Sequence, residues 1–221
     1  MSDDYAVSRQ NEVRQLREKA AYDRATVHAV LDAGLVAAVA FVEDGGPVVV
    51  PMLYGRDGET LYLHGARKAR VVRLLERTDR ASLNVTLLDA LVLARSAFNS
   101  SMNYRSVTVF GTPRLIEDRE AKLAAMRVIA EHTMPGRWAE LRAPLEKEIK
   151  MTGVIALPIE AASAKISNRP HPEDEPEDYD IPVWAGILPL TSAYATLVDA
   201  DRLIAGVSPS AAVRALEGKV L

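Results

Sequence analysis

The sequence predicts a mainly β protein with peripheral helices, its strands forming a small closed or partly closed antiparallel barrel. Three observations carry this. Strand-length apolar runs follow one another with Asp-Gly or Gly-Gly between them, the strongest local hairpin signal a sequence offers. Helical periodicity is confined to the start, the middle and the end of the chain. Strands and helices do not alternate as βαβ units, which disfavours a doubly wound parallel sheet.

Over 8–33, Val13, Leu16, Ala20, Val27, Val30 and Leu31 are spaced as one apolar stripe with basic residues between them, predicting a helix that Gly34 closes. LVAAVAFV (35–42), VVVPMLY (48–54) and TLYLHG (60–65) form a meander through Asp44-Gly45-Gly46 and Arg56-Asp57-Gly58. Pro51 has no N–H for a ladder, so its strand is expected at an edge, or with its donor side turned to a ligand or to solvent. A short helix over 68–78 and strands over 81–88, 90–98 and 106–116 come next, the last interrupted by Gly111 and Pro113. Asp118 is placed to cap a helix through 132, with Leu123, Met126, Ile129 and Ala130 inward. A further short helix falls in 141–150, and 153–167 reads as one long strand.

The composition changes at Asn168. NRPHPEDEPEDYDIP holds four prolines and six acidic residues, which makes it a loop or mobile tether and not core. VWAGILPL (183–190) is a last strand or an extended arm. Ser208, Pro209 and Gly218 stand in the order of cap, first position and closing glycine for a terminal helix.

A chain of 221 residues with 48% hydrophobic and 26% charged composition is long enough to bury a core without a staple. It has no cysteine, which excludes a disulfide scaffold, a zinc finger, an iron–sulfur cluster and a thiol nucleophile. A net charge of −3 is a poor basis for bulk nucleic-acid binding. The longest apolar run, 35–42, is too short to span a bilayer, and the N-terminus lacks an apolar leader, so a cytoplasmic location is expected. Neither G-x-G-x-x-G nor G-x-x-x-x-G-K-[ST] is present, and His28, His64, His132 and His171 have no metal-ligand spacing. Ser208 lacks the glycine frame of a nucleophile elbow.

Three segments carry candidate chemistry. In LHGARKAR (63–70) a strand meets a helix; Gly65 and Ala66 offer backbone, and Arg67 and Lys68 bring two positive charges. That combination suits a phosphate, and equally describes a polar strand-to-helix turn facing water. LARSAFNSSMNYRS (93–106) crowds arginines, serines, asparagines and Tyr104 between apolar strands, as a ligand-facing loop or as a solvated hairpin. Trp184, flanked by prolines and Gly186, either stacks on a planar group or anchors a C-terminal arm.

Taken together, 47–54, 61–70, 91–111, 135–142 and 183–190 resemble the pyridoxamine 5′-phosphate oxidase-like family of FMN-binding split-barrel proteins, in the branch with nitroimidazole-resistance flavoproteins. SMNYRSV followed by a strand and glycine is the most specific piece. The resemblance implies a six-stranded antiparallel split β-barrel over 35–167. The segment 1–34 would be an N-terminal helical part, and 168–221 an acidic tether, tryptophan arm and terminal helix on the same domain. It implies a homodimer with FMN at the subunit interface. Arg67 and Lys68, with Gly65 and Ala66, would hold the FMN phosphate; Pro51, Met52 and Tyr54 would lie along the flavin ring, and His64 near the ring or ribityl chain. Tyr104, Arg105, Ser106 and Trp184 would close the site from the second subunit. The sequence departs from the family where Asn99 and Ser100 replace expected histidines.

The function so implied is an FMN-dependent oxidoreductase that passes electrons from a reduced donor to a small planar acceptor, the flavin supplying the redox chemistry. The alternative is a flavin- or haem-binding module without turnover, in which His64 is the histidine near the cleft.

Overall fold

The computed structural model describes residues 3–221. In chain order its regular elements are β1 (Ala20–Ala21), α1 (Arg24–Ala33), β2 (Val36–Glu43), β3 (Gly46–Asp57), β4 (Thr60–Ala66), α2 (Arg70–Leu75), β5 (Ala81–Leu93), β6 (Ser101–Gly111), β7 (Arg114–Leu115), α3 (Arg119–Thr133), α4 (Glu146–Met151), β8 (Thr152–Pro158), β9 (Ala161–Ser167), β10 (Gly186–Pro189) and α5 (Ala211–Arg214). Mainly antiparallel strands with a few helices agree with the split-barrel class. The chain divides into two compact units.

The first unit comprises residues up to 34, 83–110 and 160–191. Its strands run β1-β9-β6-β5, with β10 antiparallel to the end of β5, Gly186 opposite Leu93. The path is open, since β1 does not return to β5. Val107 and Val109 of β6 face Ala164 and Ala162 of β9 across the ladder, all four closed to solvent, and α1 adds Val27, Val30 and Leu31.

The expected helix over 8–33 is only its second half. Asp23, extended, accepts from Thr26 N at 2.8 Å and starts α1 there. Upstream, Leu16 sits in the left-handed region, and the buried Asn11 amide donates to Ala6 O and Ala162 O while its oxygen accepts from Ser8. The bond to Ala162 ties this irregular segment to β9; the chain then makes one 3-10 turn over Arg17–Lys19, after which Ala20 and Ala21 pair with Lys165 and Ala164.

The second unit comprises 35–82, 111–159 and 192–221, with strands in the open order β2-β3-β4-β8-β7. The β2–β3 register sets Val36 opposite Leu53, Ala38 opposite Pro51 and Val42 opposite Pro47. β4 pairs with β3 only from Tyr54 onward, so the part of β3 holding Pro51 has one unpaired edge, the position a proline tolerates. Val39, Tyr54, Leu61, Leu63, Val72, Leu75, Ile155 and Leu157 are fully buried. α3 lies on β3 at Gly55, where an added Cβ would come within 2.7 Å of Ile129 Cα.

Other boundaries differ from the sequence reading for definable reasons. The runs 81–88 and 90–98 are one strand, β5, whose buried residues shift from Ala81, Leu83 and Val85 to Ala90 and Val92; the change of phase mimics a break. Residues beyond Leu93 leave the sheet, and β6 already begins at Ser101. The stretch 153–167 is two strands, because β8 pairs with β4 and β7 while β9 pairs with β6 and β1. On α3 the buried residues are Lys122, Ala125 and Ile129; Leu123, Met126 and Ala130 are half-buried, Met126 and Ala130 because they border a cavity. The terminal helix is capped by Ser210, whose hydroxyl accepts from Val213 N, so Ser208 and Pro209 precede it. Residues 168–180 form a loop pinned at its middle: the Asp174 side chain, 1% exposed, accepts from Arg95 N and Arg95 Nη1 at 2.8 and 2.7 Å.

Candidate functional site

In the second unit, strand alternation splits the residues expected along a flavin ring. Pro51 and Leu53 point to one face of β3, exposed; Met52 and Tyr54 point to the other, 8% and 0% exposed. Tyr54 packs its ring against His132, centroids 4.9 Å apart. The side chains of Met52 and Tyr54 therefore serve the core, and only their main chain remains for a ligand.

Leu53 and His64 border an apolar cavity of about 240 Å³ whose opposite wall is α3 with Met126, Ile129 and Ala130; Met134, just past the helix, and Trp138 complete the rim. His64 stays exposed as a residue, yet the apolar wall desolvates its imidazole and holds its pKa below the ordinary 6.5, favouring the neutral ring. From this cavity an apolar ladder runs outward along the β2–β3 hairpin: Val36 and Leu53, Ala38 and Pro51, Ala40 and Val49, Val42 and Pro47. Of these, Val36, Val42, Val49 and Leu53 are between 45% and 63% exposed. Together they make a contiguous apolar face on the surface of this unit. The amphipathic pattern of α3 carried part of the signal for this cavity, but the expected inward set did not separate wall from core.

The basic turn after β4 is more constrained than its sequence implies. Arg67 Nη1 and Nη2 each donate to a carboxylate oxygen of Glu76 at 3.0 Å, a fork that fixes the guanidinium before any ligand arrives. Arg67 N donates to Met151 O and Ala69 N to Ala66 O, both at 2.8 Å. α2 starts at Arg70, two residues later than expected, so those amides are not free helix-terminal donors. Lys68 is exposed. Gly65 stands opposite Gly153, and added Cβ atoms would meet Val72 at 3.2 and 2.5 Å. The two glycines let α2 press onto the sheet, which is a packing role.

In the first unit the triplet Tyr104, Arg105, Ser106 also divides by strand alternation. Arg105 forks onto Asp89, with bonds of 2.7 and 3.1 Å, on the face that holds Val107. Tyr104 and Ser106 project from the other face, opposite Ser167 and Lys165. Asn99 and Ser100 lie in a loop closed by serine bonds: Ser100 Oγ donates to Ser96 O at 2.8 Å, and Asn99 N donates to Ser96 Oγ at 3.1 Å. Trp184 is 68% exposed, its ring lying so close over Gly186 that a Cβ there would come within 2.7 Å. Among the described residues no group of three or more His, Asp or Glu is placed to hold a metal ion, and no helix is long and apolar enough to cross a membrane.

Against known structures, the chain is similar to a flavocytochrome, Anf3, from Azotobacter vinelandii: 35% identity, 96% of this chain and 98% of that one covered, TM-score 0.88. It is similar to an FAD and haem binding protein from Mycobacterium smegmatis, at 38% identity over 90% of this chain and 98% of that one, TM-score 0.86. A protein from Bacteroides thetaiotaomicron put forward as a 5-nitroimidazole antibiotic resistance protein shares the fold at 22% identity, covering 66% of this chain and 86% of that one, TM-score 0.58. None of the curated proteins matches. The family model described as pyridoxamine 5′-phosphate oxidase matches residues 23–166, and the chain belongs to that family.

Proposed function

We propose that this protein is a flavin-binding redox protein that passes electrons between a reduced donor and a small planar acceptor. The observation that carries the reading is the pair of relatives above 30% identity over nearly the whole chain, one a flavocytochrome and the other an FAD and haem binding protein. The chain's own residues fit a flavin in two respects. Arg67, preset by Glu76, and the exposed Lys68 offer two cations to a phosphate. The face carrying Pro51, Leu53 and His64 offers an apolar surface and a neutral imidazole to an aromatic ring. A bound flavin supplies the redox chemistry, so no nucleophile is required of the protein. FMN is the flavin the family resemblance implies; the relative's FAD makes FAD the form we place first.

Haem is a second ligand of the same reading. His64 is the histidine bordering the apolar cavity, and Met126 and Met134 are the thioethers on its wall, a donor set suited to haem iron. His64 and these methionines would hold the iron, and a bound haem would supply one-electron redox chemistry.

The assembly we propose is a homodimer, which the exposed apolar ladder of the β2–β3 hairpin supports as a surface to bury.

The visible spectrum of purified protein, with the mass of any released flavin, tests the reading. A flavin spectrum that Arg67→Ala and Lys68→Ala weaken by about 1–3 kcal/mol of binding for each contact supports it. A Soret band lost in His64→Ala adds haem. A chain that retains no flavin when FAD or FMN is supplied refutes the proposal.

A further inference from the structure

One sheet face of the first unit gathers cations and hydroxyls. Tyr104 stands opposite Ser167 and Ser106 opposite Lys165, so these four side chains share a face, while Val107, Val109, Ala162 and Ala164 fill the core on the other. Ser167 is 2% exposed and its hydroxyl is not left alone: Lys19 Nζ donates to it at 3.1 Å. The sequence predicts a helix through Lys19; the chain instead makes a single 3-10 turn over Arg17–Lys19 before β1, and this brings Lys19 to Ser167. Ala20 pairs with Lys165 at the start of β1, so the chain from Lys19 enters the sheet at the edge of β9 that carries Lys165 and Ser167. Arg169, two residues beyond β9, is fixed by reciprocal bonds of 2.9 and 2.8 Å between its backbone and the Asn103 amide.

The charges on this face are incompletely matched. Burial lowers the pKa of Lys19, and the positive charges of Arg169 and Lys165 lower it further, against Glu18 and Glu173, which raise it. Glu173 meets Arg169 at 3.4 Å from a largely exposed side chain, and Lys165 has no ion pair among the described residues. Like charges held together beside buried hydroxyls are unfavourable alone and favourable around an oxyanion.

We propose that Lys19, Lys165, Ser167 and Ser106, bordered by Tyr104 and Arg169, form an oxyanion site for a phosphate-bearing small molecule. Its residues are distinct from the Arg67–Lys68 turn, and the inference does not rest on the flavin reading. Ser106 Oγ donates to Lys165 O at 3.4 Å and so lines the site, while two ammonium groups, a guanidinium and the hydroxyls of Ser167 and Tyr104 supply donors suited to a multiply charged anion with several acceptor oxygens. The phosphates of a flavin and those of a phosphorylated substrate offer the same chemistry.

The test is calorimetric titration of the full-length chain, stripped of any flavin, with inorganic pyrophosphate. Saturable, salt-sensitive binding is expected, weakened roughly tenfold or more in Lys19→Gln/Lys165→Gln, as charge-assisted contacts require. Lys165→Arg keeps the charge and retains binding, which separates loss of the site from loss of the fold. Arg67→Ala/Lys68→Ala leaves pyrophosphate binding in place while weakening flavin, so failure of the flavin reading is visible separately. If saturating FAD abolishes pyrophosphate binding, the flavin's own phosphates fill the site; if it does not, the site serves a phosphorylated substrate. Absence of saturable binding, or equal loss in the Arg67→Ala/Lys68→Ala variant, overturns the proposal.

Discussion

Gly55 sets how closely α3 approaches β3, and Gly55→Ala tests that directly. A strand-interior glycine costs about 0.5–1 kcal/mol relative to alanine, so backbone entropy alone predicts a more stable protein. The structure predicts the reverse. The new methyl group would meet Ile129 Cα at 2.7 Å and Ile129 N and Val128 C at 2.8 Å, all main-chain atoms that cannot rotate away. Restoring ordinary contact needs α3 to retreat by about 0.7 Å, loosening Ala125 and Ile129, which are 2% and 3% exposed. Overpacking of this kind costs about 1–3 kcal/mol, and rigid neighbours put Gly55→Ala at the upper end. The same retreat moves Met126, Ala130 and Met134, the cavity wall facing His64, so ligand retention is expected to fall with stability. Urea denaturation gives the stability change, with Gly46→Ala as control, because its Cβ meets only Glu43 O at 3.5 Å. A Gly55→Ala protein as stable as the parent, or more so, refutes the account of how α3 is seated.

Further outcomes follow from other contacts. Asp174→Asn leaves Arg95 beside a neutral amide in a site where the carboxylate is 1% exposed; a loss of about 3 kcal/mol in denaturant and faster proteolysis within 168–180 are expected, and unchanged protease resistance refutes the anchoring role. Asp23→Ala removes the acceptor for Thr26 N and is expected to cost about 1 kcal/mol by thermal unfolding, whereas a mid-helix Asp23 predicts no loss. Glu148, bonded first to Arg142 and then to Leu145 N, has its pKa lowered to about 2. Its folded value lies below the unfolded one, so its stabilising contribution is complete above the ordinary 4.5 and is lost as pH falls through about 2. Carboxyl NMR titration of the folded chain checks this, and a Glu148 midpoint near 4.5 contradicts it.

Legibility in the sequence followed the range of the interaction. The β2–β3–β4 meander was readable because its turns are encoded by adjacent residues, Gly45 and Gly58 taking positive φ where the turns require it. The cap of α3 was readable because Asp118 accepts from Ala121 N three residues away. The span 8–23 was misread because Asn11 bonds Ala162, far along the chain, and that bond overrides a helical apolar pattern. The candidate site divides in the same way. His64 and the cations Arg67 and Lys68 stand out locally, whereas Glu76 as the partner of Arg67 and the arrival of Lys19 at Ser167 depend on how elements meet.

The sequence by itself determined the class of the protein: antiparallel strands from period-two patterning and glycine turns, no thiol chemistry from the absence of cysteine, and family membership from segments whose order survives along the chain. Tertiary structure alone decided which face each side chain serves. It sent Met52 and Tyr54 to the core while Pro51 and Leu53 face outward, turned Arg105 away from Tyr104 and Ser106, and seated α3 against Gly55 to shape the cavity beside His64. The physical reason is that alternation along a strand is fixed by covalent geometry, but register and packing decide which of the two faces is buried.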